Sequence, residues 1–119
     1  MKFSGPKLLL HAEGATVLLA ACILYRHSGE SWGKFAALFL APDLSMLGYV
    51  FGKSVGARAY NTFHTYSAPI LLWMVLLLAH ESSLFWICVI WIAHIGFDRT
   101  LGYGLKYESE FKDTHLNRV

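Results

Sequence analysis

Four apolar runs, at about residues 8–25, 32–51, 55–79 and 84–105, dominate this chain of 119 residues. A helix needs roughly 20 such residues to cross a bilayer at 1.5 Å rise per residue. The four runs take up most of the sequence and leave little for a soluble domain. Hydrophobic residues make up 55% and charged residues 15%, against about 25% charged in an ordinary soluble domain, and the mean hydropathy is +0.44. A disordered chain and a disulfide-framed secreted domain are excluded. A net charge of +2 is too small to point to nucleic acid. The expected fold is all-α: a single domain, residues 1–119, built as an integral membrane bundle of four transmembrane helices, with the lipid bilayer as its partner.

The links carry turn chemistry. His27-Ser28-Gly29-Glu30-Ser31 offers a Gly stop and a Ser start, Gly52-Lys53-Ser54 repeats the device, and Ser82 and Ser83 can cap the last run. Links this short predict antiparallel neighbours. Lys2, Lys7, Lys53, Arg58, Lys106, Lys112 and Arg118 fall on one side, and Arg26 and Lys34 on the other. By the positive-inside rule both termini are cytoplasmic. The polar tail, residues 107–119, is expected outside the bilayer. Leu19-Ala20-Ala21-Cys22 has the form of a lipoprotein cleavage box, but His11 and Glu13 interrupt the apolar stretch before it. Cys22 and Cys88 read as small buried residues; their similar depth leaves pairing open.

Polar residues inside these runs need an explanation, because a central charge costs about 2.5–3.5 kcal/mol to insert. His11 and Glu13 lie in the first run, Asp43 in the second, Asn61, His64 and Thr65 in the third, and His94, Asp98 and Arg99 in the fourth. Counted along each helix, Glu13, Asp43, His64 and His94 lie about 10, 16, 14 and 15 Å from the helix ends. All therefore fall at the midplane or in the cytoplasmic half. His94 and Asp98 share a face at i, i+4, and Asn61, His64 and Thr65 share another. Glu13 shares its face with Thr16 and Ala20. His11 lies about 200° away around the same helix, and Glu13 is assigned inward. Pro42 and Pro69 each free a carbonyl, which a membrane tolerates where it lines a wet cavity.

Asp43, His64, His94 and Asp98 form a mixed nitrogen and oxygen set suited to zinc, manganese or iron. An ion there would generate a nucleophile from water at neutral pH, with Glu13 as the catalytic base. Arg99 and Lys106 can hold a lipid phosphate. Asn61, beside His64, and His115, folding back from the tail, complete the expected substrate-binding set. Protonated carboxylates, ion pairs with arginine, and purely structural helix pairing are the other ways to account for the polar layer.

Several stretches carry a family resemblance. They are Glu13-Gly14, Ala41-Pro42-Asp43-Leu44-Ser45-Met46-Leu47-Gly48-Tyr49, Tyr60-Asn61 with His64, Ala93-His94-Ile95-Gly96-Phe97-Asp98-Arg99, Gly102 to Tyr107, and Phe111 to Leu116. With these the chain resembles, over nearly its whole length, a bacterial membrane family known as domain of unknown function 4260. That implies an inner-membrane protein and no named activity. The order Pro42-Asp43, His64-Thr65, His94 to Asp98 is also similar to small membrane-bound metal-dependent hydrolases. Ser45 stands where those have a second acid, and the His-Thr box lacks its second histidine. The function expected is metal-dependent hydrolysis of a phospholipid or lipid-linked phosphate. The alternative is a proton-coupled transporter working through Glu13 as a homodimer.

Overall fold

The structure, a computed structural model, describes residues 5–118; Lys2, counted above toward orientation, lies outside them. It is all-helical: α1 (Gly5–Arg26), α2 (Trp32–Phe39), a 3₁₀ helix (Ala41–Phe51), α3 (Lys53–His64), α4 (Ser67–Leu78), α5 (Phe85–Leu101) and α6 (His115–Arg118). Among the described residues, two segments are long and apolar enough to cross a membrane, Gly5–Arg26 and Trp32–Phe51. Large side chains such as Leu47, Val50, Phe51 and Leu78 are exposed, as suits a surface solvated by lipid.

The α1 helix is inserted as a heptad. Lys7, Gly14, Ala21 and Tyr25 are buried and His11 and Leu18 partly so, a 4-3-4-3-4 spacing that keeps one stripe on a neighbour. That neighbour is α5, buried over much of its circumference from Cys88 to Arg99. The two backbones meet at Gly14 and Gly96. A Cβ on Gly96 would lie 2.8 Å from the Gly14 carbonyl oxygen, and one on Gly14 would lie 2.4 Å from Arg99 Cβ. Small residues permit this approach where side-chain knobs would hold the helices apart. At the far end, Tyr25 is fully buried against Trp32, Phe35 and Trp86, and its hydroxyl donates to the Ser31 carbonyl at 2.7 Å. Cys22 and Cys88 are free thiols.

The second run keeps its expected bounds but changes its winding. Ser31 caps α2 by accepting from the Lys34 amide at 3.1 Å. Pro42 then ends the α ladder, and eleven residues continue as a 3₁₀ helix, far beyond the usual three or four. Gly52, at φ +114°, turns the chain into α3, which packs along the 3₁₀ helix.

The third run differs from expectation. It is two 12-residue helices, α3 and α4, each about 18 Å long and too short to span alone. The break lies at Thr65, which is extended. Pro69 has no amide hydrogen for the Thr65 carbonyl, which takes a 3.2 Å bond from Ala68 instead. The fourth run is also shortened, to the 17 residues of α5.

The tail folds back. Lys106 bridges Thr114, Leu105 and His115 exchange bonds, and Leu116 is fully buried. Exposed pairs Lys53–Glu110 and Arg58–Glu108 tie it to α3, and Asp113 binds Arg118 and Ser109. Those bonds hold the Asp113 carboxyl down from 3.8 to about 2. Because its folded value is depressed, Asp113 stabilises the tail's own fold above the ordinary carboxylate range and ceases to as pH falls toward 2. Limited proteolysis across a pH series should find the tail as protected at pH 4.5 as at pH 7. Arg118→Gln should move the onset of cleavage upward.

Candidate metal centre

Each donor reaches the centre for a local reason. Asp43 sits in the first turn of the 3₁₀ helix, directly after Pro42. His64 is the last residue of α3, where the Thr65 break leaves its ring projecting inward, stacked on Tyr60 at 3.7 Å and 7°. His94 and Asp98 occupy successive turns of one buried face of α5, and the His94 ring packs edge-on against Phe39. His64, His94 and Asp98 are buried, while a third of the Asp43 side chain is open, at 34% exposure.

The four donor atoms converge. His64 Nε2 is 3.0 Å from Asp43 Oδ1 and 3.4 Å from Asp98 Oδ2. His94 Nε2 is 3.2 Å from each of those oxygens. The two Nε2 atoms are 3.1 Å apart. Four donors at zinc distances of about 2.0–2.1 Å stand at the corners of a tetrahedron with edges near 3.3–3.4 Å. The observed separations are close to those edges, and all four atoms lie within 4.8 Å of one another. The group can hold one metal ion.

The hydrogen bonding around the centre favours a cation. His64 Nδ1 is 2.8 Å from the Tyr60 carbonyl, which only accepts, so Nδ1 carries the hydrogen. In the neutral ring Nε2 then turns its lone pair toward two carboxylate oxygens. That contact is repulsive unless a positive charge lies between them. Fixing one ring nitrogen on a backbone carbonyl is also how metal-binding histidines are oriented.

The groups expected to bind substrate mostly do something else. Arg99 is buried; its Nη2 donates to the His64 carbonyl at 2.6 Å and its Nη1 to the Tyr103 carbonyl at 2.7 Å. It caps the carbonyl that the helix break orphans, beside the Phe63 carbonyl, which Trp91 takes at 2.8 Å. Asn61 pairs both ends of its amide with the Lys106 backbone at 2.8 and 2.6 Å. His115 Nδ1 accepts the Leu105 amide hydrogen at 2.8 Å. These three organise backbone, because each polar atom finds a nearer partner in the folded tail or the broken helix. Replacing Arg99 with Met should cost about 3 kcal/mol, since two charge-assisted bonds go and two carbonyls lose their partner. Denaturation in detergent would measure it, and metal affinity should fall with it because His64 loses its support.

Glu13 corrects the assignment within α1. It is exposed and does not line the cavity, whereas His11 does. The heptad stripe decides this: position 11 falls between Lys7 and Gly14 on the face toward α5, and position 13 falls outside it. His11 Nδ1 bonds the Thr100 carbonyl at 2.9 Å. The cavity beside the donors has a volume of about 800 Å³ and is bordered by Asp43, Asp98, Tyr60, His11, Lys7 and Lys106. Of the expected substrate-binding set, Lys106 alone lines it. Lys7 and Tyr60 were missed as cavity residues, although Lys7 begins the heptad stripe and Tyr60 is one turn before His64.

No curated protein and no solved structure matches the chain. The family model described as domain of unknown function (DUF4260) matches residues 7–119. That span takes in the donor set, the cavity and the folded tail, and the chain belongs to the DUF4260 family.

Proposed function

We propose that this protein is a membrane enzyme that uses one divalent ion, held by Asp43, His64, His94 and Asp98, to hydrolyse a phospholipid or lipid-linked phosphate. The observation that carries this reading is the convergence of two imidazole nitrogens and two carboxylate oxygens from three chain segments into a volume that one ion fills. A bound zinc, manganese or iron ion lowers the pKa of a coordinated water and polarises a phosphoryl oxygen. Asp43 and Asp98 both border the cavity, and Asp43, the more open of the two at 34%, marks the side on which water and substrate enter. His11, on the cavity wall, takes the proton-transfer role first assigned to Glu13. The exposed apolar side chains and two long apolar helices support a membrane location, and the lysine and arginine count supports a multi-pass topology with both termini on the cytoplasmic side.

Elemental analysis of detergent-purified protein tests this. About one equivalent of a transition metal is expected, and His94→Ala should remove it. Less than a tenth of an equivalent after zinc loading rejects the reading. A second reading rests on Glu13, exposed on α1 beside the small residues Thr16 and Ala20. Two copies meeting there would form a proton-coupled exchanger, and Glu13→Gln would abolish proton-linked uptake in liposomes while leaving the metal content unchanged.

A further inference from the structure

Of the four donors, His64 is the one its own helix does not finish. His94 and Asp98 sit within α5 and Asp43 within the 3₁₀ helix, but His64 is the last residue of α3, and Thr65 after it is extended. Three contacts hold it instead. Its ring stacks on Tyr60 at 3.7 Å and 7°, its Nδ1 donates to the Tyr60 carbonyl at 2.8 Å, and its own carbonyl accepts from Arg99 Nη2 at 2.6 Å. Tyr60 and Arg99 are both engaged by the tail, here residues 103–118. We propose that the folded tail positions the metal centre: with Asn61 and Lys106 as its positioning residues it holds His64 in ligating geometry, so that tail docking and ion uptake strengthen each other. The inference rests on the metal site of the hydrolase reading and not on the reaction.

Two routes run from the tail to this histidine. On the first, the Asn61 side chain, next to Tyr60 in sequence, donates to the Lys106 carbonyl at 2.8 Å and accepts from the Lys106 amide at 2.6 Å. That two-point clasp sets Lys106 against α3. The lysine ammonium lies 4.6 Å from the Tyr60 ring centroid and 3.7 Å from that of Phe111, and it donates to the Phe111 carbonyl at 2.8 Å. A cation over an aromatic face is attracted to it, so the ring that carries His64 is itself fixed by the tail. On the second route, one guanidinium joins two carbonyls: Arg99 Nη2 binds that of His64 and Nη1 that of Tyr103, at 2.6 and 2.7 Å. The guanidinium is a rigid planar fork, so it keeps the two carbonyls in register. Tyr60, His64, Arg99 and Lys106 are all buried.

The tail docks as one piece. Gly104 lets it return on itself: a Cβ there would lie 2.6 Å from His115 Nδ1 and 3.0 Å from the Leu116 amide nitrogen. The Leu105–His115 and Lys106–Thr114 pairings and the buried Leu116 close it. Its outer ties to α3 are the exposed pairs Lys53–Glu110 and Arg58–Glu108, which water and salt weaken. The tail can therefore open locally while the apolar helices stay packed. Docked, it also supplies Phe111, Lys112, Thr114 and Asn117 to the cavity that Asp43 and Asp98 border. Linkage makes the effect reciprocal: the factor by which docking raises ion affinity is the factor by which the ion favours docking. Groups that orient a metal-binding histidine from outside the coordination sphere are worth about 10–100-fold in affinity, and an effect of that size is expected.

The test uses full-length protein in neutral detergent, with zinc as the ion and cobalt(II) as a visible probe of the donor set. Saturating zinc should slow protease cleavage of the tail in the unmodified protein about tenfold or more. Gly104→Val obstructs the tail's return at a residue outside the donor set. It should weaken zinc binding about tenfold or more and weaken the cobalt absorption bands as the four-coordinate site loses His64. Lys106→Met should do the same, and Lys106→Arg, which keeps a cation for the Tyr60 ring, should restore both. The proteolysis of unmodified protein needs no variant, so the outcome does not depend on either variant folding. Tail cleavage at one rate with and without zinc, in a protein that binds zinc, overturns the proposal and leaves the metal site standing. So does a wild-type zinc affinity and cobalt spectrum in a Gly104→Val protein whose tail is rapidly cleaved. A protein that binds neither ion rejects the hydrolase reading and this proposal with it. Ion-dependent protection of the tail in a protein that hydrolyses no phosphate ester supports the linkage while rejecting the reaction.

Discussion

Treating the purified protein with EDTA should lower its melting temperature by about 10 °C, and stoichiometric zinc should restore it. Removing an ion present at about 100 times its dissociation constant withdraws about 2.7 kcal/mol. For a chain of this size, each kcal/mol corresponds to roughly 3–6 °C. The direction follows from the geometry. His64 Nδ1 stays committed to the Tyr60 carbonyl at 2.8 Å, so without an ion the neutral ring presents a lone pair to Asp43 and Asp98 at 3.0 and 3.4 Å. Buried charges that lose their counter-charge are costly. His94→Ala should melt at the lower temperature with or without EDTA, because it cannot rebuild the set. Identical melting of EDTA-treated and zinc-loaded wild-type protein, shown by elemental analysis to be metal-free and metal-loaded respectively, would sink the idea that these residues hold an ion.

A bulky residue at the α1–α5 crossing should have the largest structural effect. In Gly96→Leu the new Cβ would stand 2.8 Å from both the Gly14 carbonyl oxygen and the Leu18 amide nitrogen, and 3.3 Å from Leu18 Cα. All three obstacles are backbone, so no rotamer change relieves them and α1 must move away. That movement breaks the His11–Thr100 bond, withdraws Lys7 from the cavity and loosens Arg99, which is packed against Gly14. The cost should be about 3 kcal/mol or more, at or beyond the usual upper end for overpacking. Thermal unfolding in detergent and the yield of monodisperse protein would show it. Gly33→Ala is the control: its Cβ meets only Ser31 Oγ at 3.9 Å, and it should change stability by about 0.5 kcal/mol or less. Wild-type stability in Gly96→Leu would mean that the two helices do not cross at these glycines.

The donor set was legible because it obeys two rules that need no tertiary knowledge. Charged and imidazole groups in apolar runs must meet one another, and residues at i, i+4 share a helix face. His94 and Asp98 follow from the second rule, and their meeting with Asp43 and His64 from the first. The roles of Arg99, Asn61 and His115 were not legible. Each was judged by its charge or polarity, but its partner is a backbone group freed by a helix break or by the returning tail. The break itself had a sequence signal in Pro69, read only as a freed carbonyl and not as an end to the helix. The choice of Glu13 over His11 failed for a related reason. The small residues Thr16 and Ala20 suggest a contact face, whereas the buried stripe runs through Lys7, Gly14 and Ala21.

The amino-acid sequence by itself determined that the chain is helical and apolar, and that two acids and two histidines gather in it, because hydropathy and helical periodicity are local properties summed along the chain. The tertiary structure alone decided which polar groups face the cavity and which are consumed by backbone. That outcome depends on the rotation of each helix about its axis, fixed by contacts such as Gly14 on Gly96 between residues 82 positions apart in the sequence.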